Sequence, residues 1–139
     1  MADRKWRVLL VDDEPGIVKL VGKRLEVAGY EVVTALDGEE GLTKARLGRP
    51  DAVILDLMLP IKNGMEVCAE LKADAATKAI PIIMFTARHE AMDEKLCREC
   101  GADAYITKSQ QSKALLEQLE ALLTRVLARP ARLQQPADA

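Results

Sequence analysis

The feature that most constrains this chain is a repeated change of texture. Short runs dense in Val, Ile and Leu alternate with stretches whose apolar residues recur at helical spacing. The runs are Val8–Val11, Val53–Leu57, Ile80–Phe85 and a shorter one, Ala104–Ile106. Unbroken runs of this kind suit strands covered on both faces, as in a parallel sheet. The segment Tyr30–Ala35 alternates more, which suits an edge strand. Between the runs, Pro15 fits a first helical position, Ile17, Val18, Val21 and Leu25 share a face, and Gly29 marks the exit. Asp37 with Glu40 has the spacing of a capping box before Leu42 and Ala45, with Gly48 and Pro50 ending that helix. Asn63 with Glu66 repeats the signal before Cys68 and Leu71. A fourth helix is expected over Arg88–Glu99, closed by Gly101. Ser109 can cap a fifth, with Leu115, Leu116, Leu119, Leu122, Leu123 and Val126 on one broad apolar face.

This pattern predicts five βα units in strict alternation, an α/β fold with helices on both faces of a parallel sheet. Right-handed crossovers then place every strand-to-helix loop along one edge of the sheet. Ligands in such folds bind at those carboxyl ends. The 139 residues suffice for one domain, expected over residues 1–128. Residues 129–139 carry two prolines and no apolar periodicity, and read as a disordered tail or the start of a linker.

Bulk properties exclude several classes. A net charge of −2 lacks the basic excess of a nucleic-acid surface. No apolar run approaches a membrane span, and the N-terminus lacks the apolar core of a signal peptide. Three cysteines, Cys68, Cys97 and Cys100, are an odd count and do not resemble a disulfide framework. The expectation is a cytoplasmic protein with no direct contact to nucleic acid or membrane.

The strand ends carry the chemistry. The first ends Val11-Asp12-Asp13-Glu14, the third at Asp56-Leu57-Met58, the fourth at Phe85-Thr86-Ala87 and the fifth at Ile106-Thr107-Lys108. Asp12 and Asp13 before Pro15 could be no more than a helix cap, since acids favour that place. Asp56 is harder to dismiss, because it lies inside the apolar run Ala52–Leu59 and unpaired Asp is rarely buried. Clustered carboxylates repel, by roughly 4 kcal/mol for two charges 4 Å apart at an effective dielectric of 20. A hard divalent cation relieves that, and an all-oxygen site suits Mg²⁺ or Mn²⁺. A carboxylate nucleophile, a metal, a hydroxyl and an ammonium around one point are what phosphoryl transfer needs.

These residues also carry a resemblance. Arg7-Val-Leu-Leu-Val-Asp-Asp-Glu-Pro15, Asp56-Leu-Met-Leu-Pro-Ile-Lys-Asn-Gly64, Pro81-Ile-Ile-Met-Phe-Thr-Ala87 and Gly101-Ala-Asp-Ala-Tyr-Ile-Thr-Lys108 resemble the receiver domain of two-component response regulators, over about residues 6 to 127. The resemblance implies a flavodoxin-like, doubly wound five-stranded sheet of order 2-1-3-4-5. It implies that Asp56 is the phosphoacceptor, taking phosphate from a sensor histidine kinase or a phosphotransfer protein. Mg²⁺ would be held by Asp12, Asp13, Asp56 and the backbone carbonyl of Met58. Thr86 and Lys108 would bind the phosphoryl group, and Tyr105 would be the aromatic switch. The face of the fourth helix, fifth strand and fifth helix would then change shape for a downstream target, an output domain or a second copy of the chain. Such a protein is a switch and not a turnover enzyme, beyond promoting phosphorylation and dephosphorylation at its own Asp56.

One position departs from the family pattern. The lysine is usually followed by proline, often in a cis peptide; here Ser109 follows Lys108. A non-proline cis bond costs about 2.5–4 kcal/mol, so trans is expected and the loop should differ in shape. Three rival readings are weaker. An aspartyl-phosphate hydrolase of the haloacid dehalogenase type needs a second Asp two residues after the nucleophile, where Met58 stands and cannot move a proton. A flavin mononucleotide binder would place its phosphate against Asp12-Asp13-Glu14, which repels it. A degenerate receiver used only as a docking module is opposed by the intact acidic set. Cys97-x-x-Cys100 could be a redox pair or half a metal site with His89, but two cysteines at a helix end, one packed in the core, is the plainer account.

Overall fold

The structure is a computed structural model that describes residues 5–87, 91–108 and 112–128. Ten elements alternate along the chain: β1 (Arg7–Val11), α1 (Pro15–Val27), β2 (Glu31–Ala35), α2 (Gly38–Gly48), β3 (Ala52–Leu55), α3 (Gly64–Ala73), β4 (Ile82–Thr86), α4 (Ala91–Glu99), β5 (Ala104–Thr107) and α5 (Ser112–Ala128). All pairings are parallel and the strand order is β2-β1-β3-β4-β5, as the resemblance implied. β2 lies at one edge, where its alternation placed it, and β5 lies at the other.

The continuous apolar runs are explained by the two faces they serve. Successive strand side chains point to opposite sides of a sheet. Leu9, Val11, Val53, Leu55, Ile82 and Met84 face one layer, with Leu42 and Ala45 of α2, Val67, Cys68 and Leu71 of α3, and Cys97 of α4. Val8, Leu10, Ile54, Ile83, Phe85 and Ile106 face the other, with Val21 and Leu25 of α1 and Leu115, Leu119, Leu122 and Leu123 of α5. Both cores are closed, so the sheet is held at the level where its carboxyl ends emerge together.

The helix entries refine the sequence reading. Asn63 and Glu66 form the full reciprocal box: Glu66 N–H donates to Asn63 Oδ1 at 2.9 Å and Asn63 N–H to Glu66 Oε1 at 3.0 Å. The box at Asp37 is only half formed. Asp37 Oδ1 accepts from Glu40 N–H, but the Glu40 carboxylate takes the Leu36 N–H instead, at 2.8 Å, while pairing with Lys44. Gly48 is the last residue of α2, and Arg49 rather than a glycine takes the left-handed position after it (φ 42°). Gly101 follows α4 at φ 104°, where a Cβ would also sit 2.7 Å from Lys72 Cγ.

Strand bounds shift by one or two residues from expectation. β3 stops at Leu55, so Asp56 is the first residue beyond it. β4 starts after Pro81, which has no N–H to give a ladder, and extends to Thr86. The expected first turn of the fourth helix from Arg88, His89, the Ser109 cap with its peptide to Lys108, and residues 129–139 lie outside the described residues.

Candidate functional site

The acidic residues converge because the ladder carries them there. Leu10 and Val11 of β1 lie in register with Ile54 and Leu55 of β3. One step further, Asp12 N–H donates to Ala35 O at 3.1 Å and Asp56 N–H to Val11 O at 3.0 Å. Each backbone therefore stays on the sheet until the carboxylate leaves it. Each carboxylate is then fixed by the same local device, an Asx turn: Asp12 Oδ1 accepts from Glu14 N–H at 3.0 Å, and Asp56 Oδ1 from Met58 N–H at 3.1 Å. The turn occupies Oδ1 in both residues and leaves Oδ2 facing the rim.

Lys108 fills the space between those two oxygens. Its Nζ lies 2.7 Å from Asp12 Oδ2 and 3.0 Å from Asp56 Oδ2. Its backbone is held by an N–H bond to Thr86 O at 2.7 Å, which ties the end of β5 to the end of β4. A third carboxylate, Glu14, approaches the same ammonium at 3.2 Å. Asp13 completes the group: oxygens of Asp12, Asp13 and Asp56 all lie within 4.8 Å of one another. Among the described residues, four carboxylates thus gather at this rim with one ammonium, three of them in direct contact with it.

The titration behaviour reflects this. Burial pushes the Asp12 carboxyl above its ordinary value and the Asp56 charge adds to that, against the opposing pull of Lys108 and the Glu14 N–H. For Lys108 burial acts downward, but hydrogen bonds and charge from Asp12 and Asp56 outweigh it and hold the ammonium above the usual lysine value. One ammonium does not balance the buried anions. The donor set that remains is all oxygen and closely spaced, which fits a hard divalent cation such as Mg²⁺.

The loop after Asp56 has little freedom to move away. Gly64 begins α3 directly beneath it, with its N–H on Leu57 O at 2.9 Å. A Cβ at Gly64 would lie 2.3 Å from Asp56 O and 2.8 Å from Leu57 Cα. Only glycine admits this approach, which pins the Asp56 backbone against the α3 N-terminus.

The remaining sequence candidates are placed as follows. Thr86 is buried at the end of β4 and meets the site through its carbonyl. Met58 lies two residues past Asp56 with its side chain half exposed. Tyr105 stands apart from the acidic group. It pairs in register with Met84 and opens onto a cleft of about 460 Å³ between α4 and α5, shared with Arg98, Gln118 and Arg125. The sequence shows Glu14 only as part of an acidic strand end, and nothing in its spacing signals the contact with Lys108. The cysteines behave as core residues. All three are free, Cys68 and Cys97 are buried, and burial pushes their thiols up to about 12 and about 11.

Comparison with known proteins agrees with this geometry. The family model for the response regulator receiver domain matches residues 8–120. The alkaline phosphatase synthesis transcriptional regulatory protein PhoP of Bacillus subtilis is 44% identical over 119 residues, covering 86% of this chain and 49% of PhoP. The chain spans about half the length of the curated relatives it matches. Among solved structures, a response regulator of Chloroflexus aurantiacus superposes with a TM-score of 0.83 at 31% identity, covering 87% of this chain and 99% of that one. The chemotaxis response regulator CheY4 of Vibrio cholerae superposes with a TM-score of 0.80 at 33% identity, covering 86% of this chain and 99% of that one.

Proposed function

The chain belongs to the response regulator receiver family, and from that premise we propose that it is a phosphorylation-activated signalling switch with Asp56 as its acceptor. The observation that carries the reading is the Lys108 ammonium bridging Asp12 and Asp56 at the carboxyl edge of the sheet. Asp56 Oδ2 lies at the open side of its Asx turn, and it attacks the phosphorus of the donor. The new O–P bond forms as the bond from phosphorus to the donor's nitrogen or oxygen breaks, and the leaving group takes that electron pair. Lys108, 3.0 Å from the attacking oxygen, moves onto the transferred phosphoryl group and neutralises part of its charge. Asp12, Asp13, Asp56 and the Met58 carbonyl would hold Mg²⁺, which when bound supplies the remaining positive charge.

The phosphoryl group adds about −1.5 to −2 charge and new acceptor oxygens beside Thr86 and Lys108. In this reading the Thr86 hydroxyl turns to the phosphoryl group and Tyr105 follows into the space it leaves. The cleft between α4 and α5 beside β5 then changes shape, for a target protein, an output domain or a second copy of the chain. The donor is a sensor histidine kinase or a phosphotransfer protein in the cytoplasm. Among the described residues no helix is long and apolar enough to cross a membrane. Residues 1–128 form the receiver unit, with 129–139 as a tail or linker. The relatives named transcriptional regulators suggest an output of that kind, carried outside the matched half.

The test is labelling with acetyl phosphate and Mg²⁺, read by intact mass. The wild type is expected to gain one phosphoryl group and Asp56→Asn none. Equal labelling of the two proteins would overturn the assignment.

A further inference from the structure

Glu14 differs from the other acids of the site in what its carboxylate does. It occupies the N-cap of α1, where a carboxylate ordinarily accepts an N–H from the first turn. Its side chain makes no such bond. It reaches instead across the rim to Lys108 Nζ, 3.2 Å away and 94 residues on in sequence. The Lys108 ammonium has three N–H donors, and it has three carboxylate partners: Asp12 at 2.7 Å, Asp56 at 3.0 Å and Glu14 at 3.2 Å.

These partners are not equivalent. Asp12 and Asp56 are 1% and 5% exposed, and each is locked by an Asx turn. The Glu14 side chain is 61% exposed and makes the longest of the three contacts. An ammonium with every donor engaged must release one to bind a phosphoryl oxygen. The solvated partner is released at least cost, because water replaces what it loses. Until it leaves, its negative charge stands beside the entry of an anionic phosphodonor.

We infer that Glu14 is a positioning residue for phosphoryl transfer to Asp56: it holds Lys108 in the resting protein, restrains the entry of anionic donors, and yields the ammonium to the phosphoryl group. This rests on the reading of Asp56 as acceptor. Glu14 and Asp56 share the ammonium at 3.2 and 3.0 Å, so their contacting oxygens lie no more than about 6 Å apart. Removing one charge at that distance from a dianion, in a water-like dielectric, corresponds to about a 3- to 10-fold change in rate.

The experiment uses the full chain with Mg²⁺ and compares wild type, Glu14→Gln and Glu14→Asp. Glu14→Gln keeps the shape and removes the charge, and is expected to label with acetyl phosphate about 3- to 10-fold faster. Glu14→Asp keeps the charge but not the reach to Lys108, and is expected between the two. The gain should shrink toward unity as salt rises to about 0.5 M, where the Debye length falls to a few ångströms. It should also be smaller with phosphoramidate, which carries less negative charge than acetyl phosphate at neutral pH. A merely structural role at the N-cap would produce neither dependence. In metal-free protein, lysine-selective NMR should show the Lys108 ε-methylene signal move on Glu14→Gln. A wild type that labels beside a Glu14→Gln that labels no faster overturns the inference, as does an unmoved Lys108 signal. A wild type that takes no label overturns the reading of Asp56 itself.

Discussion

Lys108→Met probes the charge balance on which the site depends. Methionine keeps an unbranched stem of similar length and removes the ammonium. In the wild type the Lys108 side chain is 10% exposed, and its two inner partners are nearly dry, so the small values typical of surface ion pairs do not apply. Deleting one partner of a buried pair costs about 3–5 kcal/mol, because the other charge is stranded. Here each stranded carboxylate keeps one backbone donor, Glu14 N–H at 3.0 Å or Met58 N–H at 3.1 Å. That puts the loss near the lower end, about 3 kcal/mol, a large share of the roughly 5–15 kcal/mol a domain of this size holds. With a urea m-value of about 2 kcal/mol/M, the midpoint falls by about 1.5 M. The assay is urea unfolding followed by circular dichroism in chelating buffer, then with Mg²⁺ added stepwise. Added Mg²⁺ should raise the variant's midpoint more than the wild type's, since it binds the folded acidic group and no longer competes with an ammonium. The pH dependence follows from the direction of the Lys108 shift. A group held above its unfolded value contributes fully below that value, here about 10.5, and loses its contribution only as pH rises through the folded value. The gap between the proteins should therefore be level from about pH 7 to 9. A variant that unfolds within about 0.3 M of wild type, or a gap that Mg²⁺ leaves unchanged, would refute the role of Lys108 as resident counter-ion.

Two further predictions concern the scaffold around the site. Gly64→Ala places a Cβ 2.3 Å from Asp56 O and 2.8 Å from Leu57 Cα, both backbone atoms, and should lower stability by about 2 kcal/mol or more in urea unfolding; a loss below about 0.5 kcal/mol would show that the loop yields. In the native protein, Ellman's reagent should find no more than one readily reacting thiol, Cys100, because Cys68 and Cys97 are buried with thiols pushed to about 12 and about 11. Two thiols reacting at once would revive a redox reading of Cys97-x-x-Cys100.

The alternation of strands and helices was legible in the sequence because it is written in local texture, whereas the strand order came only from the resemblance. Runs such as Val8–Val11 and Val53–Leu57 are apolar on both faces, and only a sheet covered twice makes use of that. Once the alternation is read, the meeting of Asp12, Asp13, Asp56 and Lys108 follows from handedness, without any knowledge of side-chain positions. What stayed illegible depends on choices between equivalent partners. A full capping box would give Glu40 the Asp37 N–H; the structure gives it the Leu36 N–H while Lys44 holds the other carboxylate oxygen. Arg49 adopts a left-handed backbone beside an available Gly48, because the helix runs one residue longer than the glycine signals. The contact between Glu14 and Lys108 is of the same kind. The sequence shows Glu14 only as one more acid at a strand end, and the structure places it at the N-cap of α1. Its side chain makes no cap bond there and pairs instead with Lys108, 94 residues away. The Glu14 side chain thus meets a charge that the fold, and not the local sequence, brings to this rim.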